Sequence, residues 1–309
     1  MIEIVFLGTS ASAPSVRRGL SAAMIMYKDR RFLVDCGEGT QRQLLKSGLG
    51  FKRLNTVLLT HGHLDHILGL AGLISTFARW EAIESVDIHG GDWALERVKA
   101  LMEVVFGTGE PAYTIGYHPV HAGQLLSHGD LSLSAFPVHH RGPGCYGYLF
   151  QEKPRRPFLA EKAESLAVPR GPERAALARG ETVRLADGRV ISADDVLGPE
   201  RPGTRLAYVG DTSNAKELLD FVRGVDTLVI ESTYLAVEKE LARHFGHITA
   251  SEAASLAREA GVGQLILTHL SRRYSDSEVL DEATAIFPNT SIARDFDQFR
   301  VQAQERVIS

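Results

Sequence analysis

Apolar positions open the chain with a two-residue period: Ile2, Ile4 and Phe6 alternate with Glu3 and Val5, which predicts a strand over residues 2–7. Apolar runs at 22–27 and 31–35 flank Lys28-Asp29 and read as a hairpin. Glycines at 37 and 39 break the pattern, and residues 41–46 predict a helix. A short apolar strand follows at 56–60, then a stretch of helical length at 64–79. Trp93, Val98, Leu101 and Val105 are spaced by roughly one turn, predicting an amphipathic helix over 93–106. Further strands are predicted at 131–138, 205–209, 227–230 and 265–268. Thr249-Ala250-Ser251-Glu252 has the form of a capping box opening a helix over 252–260. Strands mixed with helices in both halves imply an α/β fold in layers, α/β/β/α.

Residues 151–203 break this rhythm. They hold Pro154, Pro157, Pro169, Pro172, Pro199 and Pro202, six of the twelve prolines, are rich in Arg and Glu, and show little periodicity. The candidate metal ligands fall on both sides of the stretch. It is therefore expected to be a flexible arm inserted in a single domain spanning 1–309, and not a linker.

Composition adds boundaries. The 309 residues are 44% hydrophobic and 23% charged, ordinary for a soluble globular enzyme. No apolar run approaches the roughly 20 residues of a membrane span, and the start of the chain reads as a buried strand, not a signal peptide. Two cysteines, Cys36 and Cys145, exclude a disulfide framework and point to the cytoplasm; both read as small buried residues. The net charge of −4 weighs against non-specific nucleic-acid binding without excluding a local basic patch. Twelve histidines change the picture more, since His is the commonest metal ligand.

The strongest chemical signal is His61-Gly62-His63-Leu64-Asp65-His66, directly after the strand that ends at Thr60. In an extended turn, positions i and i+2 point the same way, so His61 and His63 are placed to hold one ion. Asp65 and His66 begin a helix and can turn toward a second. Imidazoles plus a carboxylate suit zinc. A solvated polar turn would not put so many ligands behind a buried strand. Asp211, His269 and the doublet His139-His140 each follow a predicted strand, which places all of them on one edge of the sheets.

This arrangement resembles the metallo-β-lactamase superfamily, and finer motifs resemble its ribonuclease Z (tRNase Z) family. They are Phe6-Leu7-Gly8-Thr9-Ser10, the run Val34-Asp35-Cys36-Gly37-Glu38-Gly39-Thr40-Gln41, Cys145-Tyr146-Gly147-Tyr148, Val168-Pro169-Arg170-Gly171-Pro172, Glu231-Ser232-Thr233 and His247-Ile248-Thr249. The likeness runs from residue 2 to about 300. It implies the metallo-β-lactamase αββα sandwich with a protruding substrate-binding arm. It also implies two zinc ions per chain: His61, His63 and His140 on the first, Asp65, His66 and His269 on the second, and Asp211 bridging them. Of the doublet, His140 is preferred because it shares a side with Val138 and precedes the turn Arg141-Gly142-Pro143.

The implied reaction is removal of the 3′ trailer from precursor tRNA, leaving a 3′-hydroxyl on the tRNA. A zinc pair roughly 3.5–4 Å apart lowers the pKa of water to about 7 and neutralises the phosphodiester. Asp65 is the expected general base, and His247, oriented by Glu231, the expected acid. Arg17 and Arg18 near the first strand, and Arg170 and Arg174 in the arm, are the expected phosphate contacts, which position RNA without reading sequence. Similar proteins form homodimers. Two rivals remain at this point: a small-molecule phosphodiesterase or other hydrolase of the same fold, and a non-catalytic metal- or RNA-binding module. The arm argues against the first, and the joint presence of a full ligand set with Glu231 and His247 against the second.

Overall fold

A computed structural model describes residues 1–80, 83–107 and 113–304. The described residues divide into two compact units, 1–151 with 204–304, and Glu152–Gly203.

In the larger unit the strands are β1 (Ile2–Gly8), β2 (Ala22–Tyr27), β3 (Arg30–Val34), β4 (Thr56–Leu58), β5 (Ser85–Gly90), β6 (Thr114–Pro119), β7 (Gly123–His128), β8 (Leu131–Pro137) and β9 (Tyr146–Glu152). Two short strands of the smaller unit, β10 (Val183–Arg184) and β11 (Val190–Ile191), come next. The larger unit resumes with β12 (Arg205–Tyr208), β13 (Thr227–Glu231), β14 (Gln264–Thr268), β15 (Thr290–Ile292) and β16 (Gln298–Arg300). One sheet runs β16-β1-β2-β3-β4-β5-β6 and the other β15-β14-β13-β12-β9-β8-β7. Strands β3 to β6 pair in parallel, as do β12 to β15, while β16-β1-β2-β3 and β9-β12 are antiparallel.

The alternation of the sequence sorts side chains between layers. Leu58 packs between the sheets, with Ile4, Phe6, Ile25 and Val34 meeting Tyr148, Phe150, Leu206, Val229 and Ile266. Its neighbours Val57 and Leu59 point the other way, onto helices that bury Leu44, Leu73, Phe77, Leu95 and Val98. The outer face of the second sheet takes the helices Ala250–Glu259 and Asp276–Thr284 through Ala253, Ala254, Ala257, Val279 and Ala283. Two sheets with helices outside give the αββα order expected. Burial of each large apolar side chain contributes about 1.5–3 kcal/mol, so this central layer carries much of the stability.

Several elements differ from the sequence reading. The stretch 64–79 is two helices, Leu64–Ile67 and Leu70–Trp80, separated at Gly69. A Cβ on Gly69 would lie 2.0 Å from the Gly37 carbonyl oxygen, so the chain turns there to let two backbones touch. The capping box at Thr249 is present and starts the helix Ala250–Glu259, two residues earlier than the pattern indicates. Strands β5, β6, β7, β9, β15 and β16 carry no decisive sequence pattern. Both cysteines are buried and unpaired.

The smaller unit is more ordered than its composition implies. It forms helices Ala160–Ser165, Pro172–Ala178 and Ala193–Val196, the last opened by a Ser192 capping box. Ala163, Val168, Leu177, Leu185, Ile191 and Val196 form its own core. The apolar positions are too widely spaced along the chain for a single-window pattern to reveal them.

Candidate metal centre

The ligand candidates follow strand ends or lie on the short helix that comes after β4. His61 follows β4, His63 caps the helix Leu64–Ile67, Asp65 and His66 sit in that helix, Asp211 follows β12, and His269 follows β14. His140 follows β8, close to β9. Gly210 lets the Asp211 loop settle on Thr60, since a Cβ there would lie 2.6 Å from Thr60 Oγ1.

The donor atoms converge in two groups. In the first, His61 Nε2 is 2.9 Å and His140 Nε2 3.2 Å from His63 Nδ1. Asp211 Oδ2 is 3.7 Å from His61 and 3.6 Å from His140. In the second, His66 Nε2 and His269 Nε2 lie 3.7 and 3.5 Å from Asp65 Oδ2, and 3.5 and 3.3 Å from Asp211 Oδ1. Ligands held by tetrahedral zinc at about 2.0–2.2 Å stand about 3.3–3.6 Å apart; the carboxylate-to-imidazole separations, 3.3–3.7 Å, are close to that, and the imidazole pairs around His63 Nδ1 are shorter. Asp211 gives one oxygen to each group.

Two observations show that the residues fit cations. His66 Nε2, His269 Nε2 and Asp211 Oδ1 are buried with no hydrogen-bond partner, although they face one another. Buried polar atoms left unpaired cost about 1–3 kcal/mol each, a penalty that a shared ion removes. In the first group, burial holds His61 well below its ordinary pKa and His63 down at about 4, and His140 is lowered for the same reason. A neutral ring keeps a lone pair on the nitrogen that carries no proton, so the three imidazoles can each offer a ligand atom to a cation where they converge. Burial works against ionisation of Asp65 and Asp211, but His269 and His66 outweigh it and keep both carboxylates charged.

A second ring of contacts sets the orientations. His66 Nδ1 meets buried Asp35 Oδ2 at 2.7 Å, and Asp35 also accepts the Thr60 N–H and hydroxyl, each at 2.8 Å. Burial opposes protonation of His66, yet Asp211 and Asp35 raise it well above its ordinary value. His140 Nδ1 donates to the Gly246 carbonyl at 2.7 Å, and His269 Nδ1 meets Thr233 Oγ1 at 2.9 Å. Asp35 and His269 both adopt left-handed backbone, φ 56° and 54°, strain on the order of 1–3 kcal/mol per residue that accumulates at this one place.

His247 stands beside the ligands. Its Nδ1 lies 3.0 and 3.1 Å from the two Glu231 oxygens and 3.9 Å from Asp211 Oδ2. Glu231 is fully buried and also accepts the Thr212 N–H at 2.7 Å and the Thr233 hydroxyl at 2.5 Å. Asp65 Oδ2 accepts the Ser12 N–H at 3.1 Å. A cavity of about 320 Å³ opens over His63, Asp65, His140, Asp211 and His247.

The sequence-predicted ligands all meet here. The doublet separates cleanly: His140 faces the centre, while His139 is exposed and pairs with Glu217. The expected RNA contacts divide. Arg17 and Arg170 are exposed. Arg18 instead spends its guanidinium on Thr9, the Ala293 carbonyl and Asp276, and Arg174 on the Val168 carbonyl. In the structure both guanidinia are therefore held by acceptors within the protein. Sequence reasoning missed roles for Asp35, Thr60 and Thr233. Asp35 had a usable signal, because it follows a buried strand as the ligands do.

Known proteins match this picture. Residues 182–270 match the β-lactamase superfamily domain, and residues 2–98 match the family described as anti-Pycsar protein Apyc1. The human tRNase Z short form superimposes with a TM-score of 0.68 at 23% identity, covering 97% of this chain and 99% of that one. The metallo-β-lactamase fold protein YhfI from Bacillus subtilis gives a TM-score of 0.68 at 20% identity, covering 96% and 98%. Fold and site define a hydrolase of the metallo-β-lactamase superfamily with a metal centre. Ribonuclease Z of Bradyrhizobium diazoefficiens is 45% identical over 301 residues, covering 97% of this chain and 100% of that protein. Ribonuclease Z of Archaeoglobus fulgidus is 39% identical, covering 99% of both. The chain belongs to the ribonuclease Z family.

Proposed function

We propose that this protein is a zinc-dependent endoribonuclease that removes the 3′ trailer from precursor tRNA. The observation that carries it is the pairing of a two-group ligand cluster, shared through Asp211, with a carboxylate-held imidazole at the same cavity. Two zinc ions bound by these groups would supply a water of pKa near ~7 and charge neutralisation for the phosphodiester.

The chain's residues have distinct tasks. His61, His63 and His140 would hold one ion, Asp65, His66 and His269 the other, and Asp211 both. Asp65, whose Oδ2 is also held by the Ser12 N–H, accepts the proton of the attacking water. His247 gives a proton to the departing 3′ oxygen. Burial opposes the charged ring, but Glu231 holds it protonated to about pH 9, so the acid is ready at neutral pH. Water adds to phosphorus, the P–O3′ bond breaks, and the products are a tRNA 3′-hydroxyl and a trailer 5′-phosphate. Within residues 152–203, exposed Lys162 and Arg170 are suited to the tRNA backbone, as is Arg17 in the larger unit. The setting we propose is the cytoplasm, and the assembly a homodimer, both on the family resemblance.

The test is incubation of zinc-loaded protein with a precursor tRNA carrying a 3′ trailer, with and without chelator. A single cut that chelation abolishes and zinc restores supports the reading. An intact precursor beside rapid hydrolysis of a small phosphodiester would replace it with the small-substrate reading.

A further inference from the structure

We propose that Arg141 and Phe245 form a seat for the last nucleotide retained on the RNA, the one whose 3′ oxygen departs: Phe245 stacks on its base and Arg141 takes the phosphate on its 5′ side. The inference rests on the ribonuclease reading of the same cavity and specifies how that cavity grips its substrate.

Both residues line the cavity over the metal centre, yet neither belongs to the ligand set nor to the proton-transfer pair. Arg141 is exposed and has no ion-pair or hydrogen-bond partner for its guanidinium among the described residues. That sets it apart from Arg18, Arg156, Arg174, Arg243 and Arg273, each of which has a carboxylate within 4.0 Å. Its stem is nonetheless placed. A Cβ on Gly246 would lie 2.8 Å from Arg141 Cγ and 3.1 Å from Cδ, so the aliphatic chain packs on that glycine and the charged head is left over. A fixed stem with a free guanidinium is what a phosphate contact requires, because Arg binds it in a planar fork at little further ordering cost.

Phe245 immediately precedes the same glycine. It ends the helix Lys239–Phe245 and is 40% exposed. Two other phenylalanines, Phe221 and Phe296, are comparably exposed, but neither borders this cavity. The His244 ring stands against Phe245 at 4.9 Å and 83°, which limits its orientations and leaves a face open. An exposed aromatic beside a cation is the combination that binds single-stranded nucleic acid: bases stack whatever their identity, and the cation follows the backbone.

Position relative to the acid gives the polarity. His247 is two residues beyond Phe245, and its backbone N–H is tied to the Ala242 carbonyl at 2.9 Å, so ring and acid are held by one turn of chain. His247 protonates the leaving 3′ oxygen, and that oxygen belongs to the retained strand. The nucleotide beside Phe245 is therefore the retained one.

The test is a two-by-two cycle on the zinc-loaded protein: wild type and Phe245→Leu, each with a normal precursor tRNA and one bearing an abasic residue immediately 5′ of the scissile phosphate. Loss of a stack corresponds to about a 5- to 150-fold rise in KM. Either change alone should raise KM within that range with kcat little altered, and both together should raise it no further. Arg141→Gln should raise KM and reduce the slope of log KM against log salt by about 0.7. Zinc content should match wild type throughout. Fully additive penalties from Phe245→Leu and the abasic residue would overturn the stack. A fall in kcat at unchanged KM would mark a merely structural role and also overturn it. An unchanged salt slope would remove Arg141. A wild-type protein that leaves the precursor uncut would defeat the ribonuclease reading itself, and this inference with it; that outcome is distinct from a cycle that fails while cleavage proceeds.

Discussion

Glu231 holds His247 through both carboxylate oxygens, at 3.0 and 3.1 Å, from a position with no solvent exposure. Burial disfavours the protonated ring, but the facing carboxylate prevails and lifts the imidazole to about 9. Glu231→Gln keeps the shape and removes the charge, so His247 falls back toward its ordinary value near ~6.5. The working form is the protonated one: it is full below the His247 pKa and lost as pH rises through it. The alkaline limb of the kcat profile should therefore move to lower pH in the variant, by on the order of one unit or more. A limb that stays in place would take Glu231 out of this role.

Asp211 supplies one oxygen to each ligand group, so its loss should harm both. Elemental analysis of the metal-replete wild type should find close to two zinc ions per chain, and Asp211→Ala should retain neither tightly. Asp35 lies outside the proposed ligand set but fixes His66 at 2.7 Å. Asp35→Ala should weaken metal binding by about 10–100-fold, the usual effect of removing a ligand's supporting acceptor. Titration with a chelating indicator measures both, and full metal content in Asp211→Ala would contradict the ligand assignment.

Gly69 allows the loop carrying Asp35 to touch the helix carrying His66. A Cβ there would sit 2.0 Å from the Gly37 oxygen and 2.9 Å from the Cys36 oxygen. Gly69→Ala should cost about 1–3 kcal/mol of stability and loosen the metal centre through the Asp35–His66 contact. Thermal unfolding and the same metal titration would show both effects, and a Tm equal to wild type would refute the packing argument.

Several cations of the 152–203 unit already have acceptors within it: Arg156 with Asp194, Arg174 with the Val168 carbonyl, Arg179 with Glu181. Lys162 and Arg170 are two exposed cations to replace first, Arg170 pairing at the surface with Glu164 at 83% side-chain exposure. Replacing both with Gln should raise KM for precursor tRNA and flatten its salt dependence, since every phosphate no longer neutralised lowers the slope by about 0.7–0.9. KM and slope matching wild type would mean that this unit does not meet the tRNA backbone through these side chains.

Much of the metal centre is legible in the amino-acid sequence, for a physical reason. A ligand placed after a buried apolar strand leaves a local mark, and His61, Asp211 and His269 all carry it. The partners that orient them leave little. Asp35 and Thr233 are ordinary polar residues until folding brings them to His66 and His269. The acceptors of Arg18 and Arg174 are likewise invisible in sequence; Asp276 is 258 residues from Arg18. The core strands β1 to β4 and β12 to β14 declare themselves through apolar alternation or short apolar runs. The edge strands β6 and β7 do not, because their side chains are half-exposed and their pairing is non-local. The helices of the 152–203 unit are hidden similarly, since each buries only one or two residues.

The most direct test of the proposed reaction is the chemical identity of the ends made when zinc-loaded protein cuts a precursor tRNA. Water attack with His247 protonating the 3′ oxygen predicts one discrete cut, a 3′-hydroxyl on the tRNA and a 5′-phosphate on the trailer, read by mass spectrometry of both fragments. A 3′-phosphate or cyclic phosphate on the tRNA, or progressive shortening of the trailer from its free end, would contradict it.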